Sequence, residues 1–458
     1  MLVLIAPGDD WCSAANDAAP GDEIVLQAGE HAGPCTLNAG GAEGLPLVIR
    51  AEDPANPPQI VYERASSNVI DVQADYITIR GLAFGPTQAD IDAVKLKSGS
   101  HLTVEDSFFS FVGGISVSAN SADSAGITIR NNTFTDLNAT AIYLGCHDGE
   151  SACTAADVLV EGNLIDDVSS TGVGYGMELK KDSWGTIRDN VVNDTQGPGI
   201  EVFGSEDAAR ATLVDGNFVV RSRNNASIEV GGPNVTVTNN IVVGGADGGI
   251  YVYAYWESVH DVVVAGNTVI GESGTAVRVA GEITDARLVD NVAWQSDGTL
   301  PFPQTIEGLT AEANITCQSQ AACWINGVDW DFRPTPGSRL RDEGEAEAAL
   351  TTDFCAHERG AQPAVGAIET EVTSGAWTLS IAAKSTFGCE ALGGADDPED
   401  QHTGEAQEFG PNSGEPERSS CGCGSAEGPG VGVTIVGGGA VIWRRRRRPP
   451  PHHIPTKP

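Results

Sequence analysis

The chain has 458 residues, 56 of them glycine, and a formal net charge of −37. So acidic a protein repels phosphate backbones, which excludes non-specific nucleic-acid binding and leaves solubility, an extracellular or salty setting, or divalent cations held on an acidic surface. No long window carries apolar residues at helical spacing, while valine and isoleucine recur in short runs, so the composition is that of an all-β protein.

Residues 1–60 open with MLVLIAPGDDWC, where only about five apolar residues follow Met1 and no basic segment precedes them. That is too short for a signal peptide, so the expectation is a truncated start or another export route. Pro20, Gly21, Asp22, Ile24, Leu26 and Gly29 then form one phrase, and Gly44, Pro46, Ile49 and Ala51 a second. Together they resemble the opening coils of secreted right-handed parallel β-helix proteins, which implies that fold with this segment as its N-terminal cap and first coils.

Residues 61–300 carry a repeat. ITIRNNTF, VLVEGNLI, GTIRDNVV, ATLVDGNF, VTVTNNIV, VVVAGNTV and ARLVDNVA are anchored on Asn132, Asn163, Asn190, Asn217, Asn240, Asn267 and Asn291, at steps of 23 to 31 residues. Two degenerate copies place Leu82 and Ser107 at the anchor position. A period of this length carried by β-branched residues predicts a solenoid. Ile127 and Ile129, or Val235 and Val237, alternate and should point inward. The anchor asparagines should stack along the axis and hydrogen-bond inside the turn. The longest step, between Asn132 and Asn163, contains the insertion CHDGESACTAAD, expected to project beside a groove.

None of the ten cysteines forms a CxxC pair. Cys146 with Cys153 and Cys317 with Cys323 have the spacing of local loop disulfides, and Cys12 with Cys35 could staple the N-terminal cap. These pairings point to an oxidising compartment.

A second strand in each coil reads apolar–x–apolar, and its middle residue should face outward. Stacked in register about 4.8 Å apart, these residues predict one outward column of Lys95, Ser116, Tyr143, Glu178, Glu201, Glu229, Tyr251 and Arg278. A neighbouring column carries Lys97, Ser118, Gly145, Lys180, Phe203, Gly231, Tyr253 and Ala280. Three glutamates on adjacent rungs repel one another. A bound cation, Lys180 or raised carboxyl pKa values must compensate. Carboxylates between Tyr143, Phe203, Tyr251 and Tyr253 suit a sugar polymer, whose apolar faces stack on rings. Glu178, Glu201 and Glu229 are candidate Ca²⁺ ligands. Paired glutamates also suit glycoside hydrolysis, retaining on adjacent rungs and inverting two rungs apart.

The segment YGMELKKDSWGTIRDNVVNDTQGPGIEVFG, residues 175–204, resembles the core of the chondroitinase B/alginate lyase group of parallel β-helices. The resemblance implies β-elimination from an acidic glycan, with Lys181 or its neighbour Lys180 as base and Glu178 near the acidic position. The group's arginine position falls on Val202 or Phe203.

Residues 301–389 include Asp331, Phe332, Pro334, Gly337, Ser338, Leu340, Asp342, Gly344, Asp353, Arg359, Gly360, Gly366, Ala367 and Glu369. This pattern resembles the closing segment of secreted β-helices and implies a cap on the open end of the stack. Residues 390–420 are Gly/Pro-rich and acidic, the composition of a disordered linker. Cys421 and Cys423, a short apolar stretch at 431–443 and five arginines at 444–448 follow, then a short tail, 449–458. The apolar stretch is too short for a comfortable membrane span. Its order resembles myxobacterial C-terminal sorting signals, implying an exported protein, anchored through Cys421 or Cys423 at the outer surface of a bacterium. The expectation is thus a monomeric parallel β-helix acting on polysaccharide, touching membrane only through its anchor. A non-catalytic glycan-binding surface protein and a glycoside hydrolase are the alternatives.

Overall fold

The computed structural model describes residues 1–389 except 147–152, 171, 173, 273, 342, 346 and 370–376. The linker, Cys421, Cys423, the apolar stretch and the arginine cluster lie outside the described residues. Among those described, no helix is long and apolar enough to cross a membrane.

A complete coil contributes one strand to each of three parallel sheets of 13, 12 and 10 strands, here sheets 1, 2 and 3, and the end coils are incomplete. In one coil, Val158–Glu161 lies in sheet 1, Leu164–Val168 in sheet 2 and Met177–Leu179 in sheet 3. The chain is an all-β, right-handed parallel β-helix. Leu2–Ile5 is already its first strand, pairing in parallel with Glu23–Leu26. The N-terminal apolar residues therefore serve the first coil. Inward residues form one core along the axis, including Ile127, Ile129, Val235 and Val237 as the alternation predicts. Phe84, Phe109 and Phe134 stack within it at centroid distances of 4.8 and 4.7 Å.

The turn between sheets 1 and 2 explains the repeated asparagine. The preceding residue adopts a left-handed conformation in ten successive coils, at Gly81, Asp106, Asn131, Gly162, Asp189, Gly216, Asn239, Gly266, Asp290 and Ala313. Glycine, asparagine and aspartate tolerate that region best, and nine of these ten positions carry one of them. The bend leaves backbone groups inside it, and the anchor amides satisfy them. Asn190 donates from both its backbone N–H and its Nδ2 to Asn217 Oδ1, at 3.0 and 2.9 Å, and from Nδ2 to the Val160 carbonyl at 2.9 Å. The ladder runs unbroken from Asn132 to Asn291 and continues to Asn314, one coil beyond the predicted anchors.

Cys12–Cys35, Cys146–Cys153 and Cys317–Cys323 are bonded as their spacing predicts, and Cys355–Cys389 is a fourth disulfide. The closing segment differs from expectation. It does not simply cap the end of the stack but runs back along the outer face of sheet 2. Trp330 and Phe387 meet Phe218 at 5.2 and 6.1 Å. Ala367 N–H donates to Thr268 Oγ1 at 3.0 Å, and the Lys384 ammonium donates to Asp189 Oδ1 and the Gly216 carbonyl, both at 2.6 Å. The reason is hydrophobic. The outward residues of the later sheet-2 strands, Val191, Phe218, Ile241 and Val292, are apolar and need cover.

Candidate functional site

Strand register places the site on sheet 3. Its outward column reads Thr36, Asp71, Lys95, Ser118, Tyr143, Glu178, Glu201, Glu229, Tyr251 and Arg278. This corrects one coil in both columns: Ser118, not Ser116, stands between Lys95 and Tyr143, and Ser118 therefore leaves the neighbouring column. Both Ile115-Ser116-Val117 and Val117-Ser118-Ala119 read apolar–x–apolar. A slip of two residues keeps every side chain on its face, so alternation alone does not separate them. The Ser118 hydroxyl donates to Asp92 Oδ2 at 2.9 Å, and Asp92 Oδ1 accepts the Ile115 N–H at 2.8 Å, which settles the register.

Glu178, Glu201 and Glu229 occupy adjacent rungs, as predicted, but they are not a solvated face. Their relative exposures are 2, 4 and 6%. Each is compensated differently. Glu178 Oε1 accepts from Lys180 Nζ at 2.6 Å, an ion pair buried on both sides. Glu201 Oε1 accepts the Tyr253 hydroxyl at 2.7 Å. Burial, and next the charge of Glu178, push its carboxyl up to about 8, so it keeps its proton at neutral pH. Glu229 Oε1 accepts from the Ala226 N–H at 3.1 Å and Asn225 Nδ2 at 3.3 Å, and burial raises its pKa as well.

The Lys180 ammonium lies 4.3 Å from the Phe203 ring centroid, 5.3 Å from Trp256 and 5.7 Å from Tyr143. Two glycines of the neighbouring column make room for this packing. A Cβ on Gly145 would come within 2.9 Å of Lys180 Cβ, and one on Gly231 within 2.7 Å of the Phe203 ring. Lys181 lies apart, its ammonium 2.5 Å from Glu257 Oε1. That hydrogen bond raises its pKa and keeps it charged. Of the two candidate bases, Lys180 is therefore the one placed against the glutamates.

Tyr251 stacks on Tyr253 at 4.7 Å, and the Arg278 guanidinium lies 4.3 Å from the Tyr251 ring. Four further residues belong to the site: Tyr175, Tyr255, Trp256 and Glu257. The Tyr175 hydroxyl is held neutral by burial first and by the charge of Glu178 next. Trp256 packs on Phe203 at 4.5 Å, and Tyr255 meets both rings edge-on. The signal for the last three was the run YVYAYWE at 251–257, of which the apolar–x–apolar columns take only Tyr251 and Tyr253.

The donor set does not fit calcium as it stands. A Ca²⁺ shell needs several charged oxygens converging on one point. Here one carboxylate holds an ammonium, the next keeps its proton and the third accepts two N–H groups. Among the described residues, no three His, Cys, Asp or Glu side chains are grouped to hold a metal ion. The chemistry on hand is a neutral carboxylic acid, a buried lysine–carboxylate pair and aromatic platforms.

A family model described as "Right handed beta helix region" matches residues 66–293. Among solved structures, XylC in complex with xylose aligns with a TM-score of 0.56 at 11% identity, covering 81% of this chain and 98% of that one. The alginate lyase from Paenibacillus sp. str. FPU-7 aligns with a TM-score of 0.49 at 19% identity, covering 61% and 98%. The A-module of an Azotobacter vinelandii mannuronan C-5 epimerase aligns with a TM-score of 0.48 at 11% identity, covering 65% and 87%. Strand order and family model agree that this chain folds as a right-handed parallel β-helix.

Proposed function

We propose that this protein is a polysaccharide-acting enzyme that cleaves an acidic glycan by β-elimination. We propose also that it is exported and held as a monomer at the bacterial cell surface through Cys421 or Cys423. One observation carries the catalytic reading: three carboxylates are buried on adjacent rungs, one of them kept neutral, beside a buried lysine. Burying this set costs free energy that a hydrophobic column would not, and perturbed ionisable clusters of this kind gather at functional sites.

The residues divide the work. Tyr251, Arg278 and Tyr143 supply sugar-stacking and anion-holding contacts along the column. Lys180, after passing its proton to Glu178, takes the proton next to the uronate carboxylate. The electrons of the broken carbon–hydrogen bond form the new double bond, the carbon–oxygen bond to the leaving sugar breaks with its electron pair going to that oxygen, and Glu201 gives its proton to the leaving oxygen. Export is supported by disulfides that pair eight of the ten cysteines.

A glycan panel assayed with and without EDTA tests this. Ultraviolet absorbance from unsaturated ends, unaffected by EDTA, is the expected result. Reducing ends without that absorbance would make the enzyme a hydrolase using Glu201 as acid. Loss of activity in EDTA would restore the calcium role of Glu178, Glu201 and Glu229. Binding without turnover would identify a non-catalytic glycan-binding surface.

A further inference from the structure

The glutamates stand on the outward face of sheet 3, where Arg278 on the same column is exposed. Neighbouring groups contact each of them, Lys180 at Glu178, Tyr253 at Glu201 and Asn225 at Glu229, and the segment that follows Tyr253 reaches this cluster through Lys180. The chain leaves sheet 3 after Ile250–Tyr253 and is next paired at Val259, in a single bridge to Ile283, and both ends of this excursion are fixed. Ala254 N–H donates to the Ala280 carbonyl at 3.3 Å, and Val259 N–H to the Glu282 carbonyl at 2.9 Å. Between them, the backbone is tied through Tyr255 N–H to the Gly231 carbonyl at 3.2 Å. Side chains do the rest: Trp256 lies on Phe203 and beside Lys180, and Glu257 pairs with Lys181.

We propose that residues 255–258 are a lid over the glutamate cluster, latched by the Lys181–Glu257 ion pair, and that Lys181 is a positioning residue that controls access. The proposal rests on reading the cluster as the functional site. A polymer cannot reach carboxylates only 2 to 6% exposed, so Trp256 must leave Phe203 before substrate enters. The latch is suited to opening. Both its side chains are 21% exposed, so water and salt compete with it, in contrast to the buried Lys180–Glu178 pair below.

The test uses the full chain and a carbodiimide with an amine nucleophile, which labels accessible carboxyl groups, read by mass spectrometry at Glu201 and Glu229. Lys181→Met and Glu257→Gln should each raise labelling about two- to fivefold, the change an exposed ion pair supports, as should high salt on the unaltered protein. The double exchange Lys181→Glu with Glu257→Lys should return labelling to its starting level. Unchanged labelling in both single variants, with unaltered melting temperatures, overturns the lid. Increased labelling without glycan turnover in any variant upholds the lid and removes the catalytic reading. Turnover in all variants with unchanged labelling does the reverse.

Discussion

Glu201 concentrates the energetics of the site in one carboxyl. Its proton is held by burial and by the neighbouring Glu178, so the folded pKa of about 8 lies above the ordinary value of 4.5. Between those values the native state binds more protons than the unfolded chain. The stabilising contribution is thus complete below about pH 4.5 and is lost as pH rises to about 8. Glu201→Gln should flatten this dependence and stabilise the protein at pH 9, by on the order of a few kcal/mol in denaturant unfolding. The same variant keeps an acceptor for the Tyr253 hydroxyl but loses the transferable proton. Glycan cleavage should then fall roughly 100-fold or more, and in the unaltered protein activity should decline as pH passes about 8.

The ladder strand-turn-strand unit is where the fold is decided, and one rung tests it. Asn217 accepts from the Asn190 N–H and Nδ2 and donates to Asn240 Oδ1 and the Ile187 carbonyl, all in the interior. Asn217→Ala strands these groups without partners and should cost about 3 kcal/mol in denaturant unfolding. A surface asparagine such as Asn38 should cost far less. The ladder was legible because its two requirements are local: a left-handed residue, then an amide. The register of sheet 3 was legible except at Ser118, because a two-residue slip leaves the pattern unchanged and only the Asp92 side chain distinguishes the two pairings.

At the scale of the molecule, the closing segment ties the later coils together along sheet 2. Cys355–Cys389 bridges positions 34 apart in it, and Phe354 and Phe387, next to the two ends of the bridge, stack on each other. Replacing both cysteines by serine should cost about 2–4 kcal/mol, chiefly through the unfolded chain. Hydrogen exchange should then rise over 350–389 before it rises in the coils. The signal for this contact lay in the repeat itself, in the apolar residues that follow the anchors at Val191, Phe218, Ile241 and Val292. Read coil by coil they are single exposed side chains. Only their stacking makes a continuous apolar face that demands cover.

The amino-acid sequence by itself determined the solenoid, its anchors, three disulfides and the three adjacent glutamates, because each depends on spacing within a coil or between neighbouring coils. The tertiary structure alone decided that those glutamates are buried, that Lys180 meets Glu178 while Lys181 turns to Glu257, and that Trp256 packs on Phe203 beside Lys180. These outcomes depend on how far a loop folds back over its own sheet. Alternation within strands assigns a side chain to a face, but what covers that face is set by segments the period does not describe.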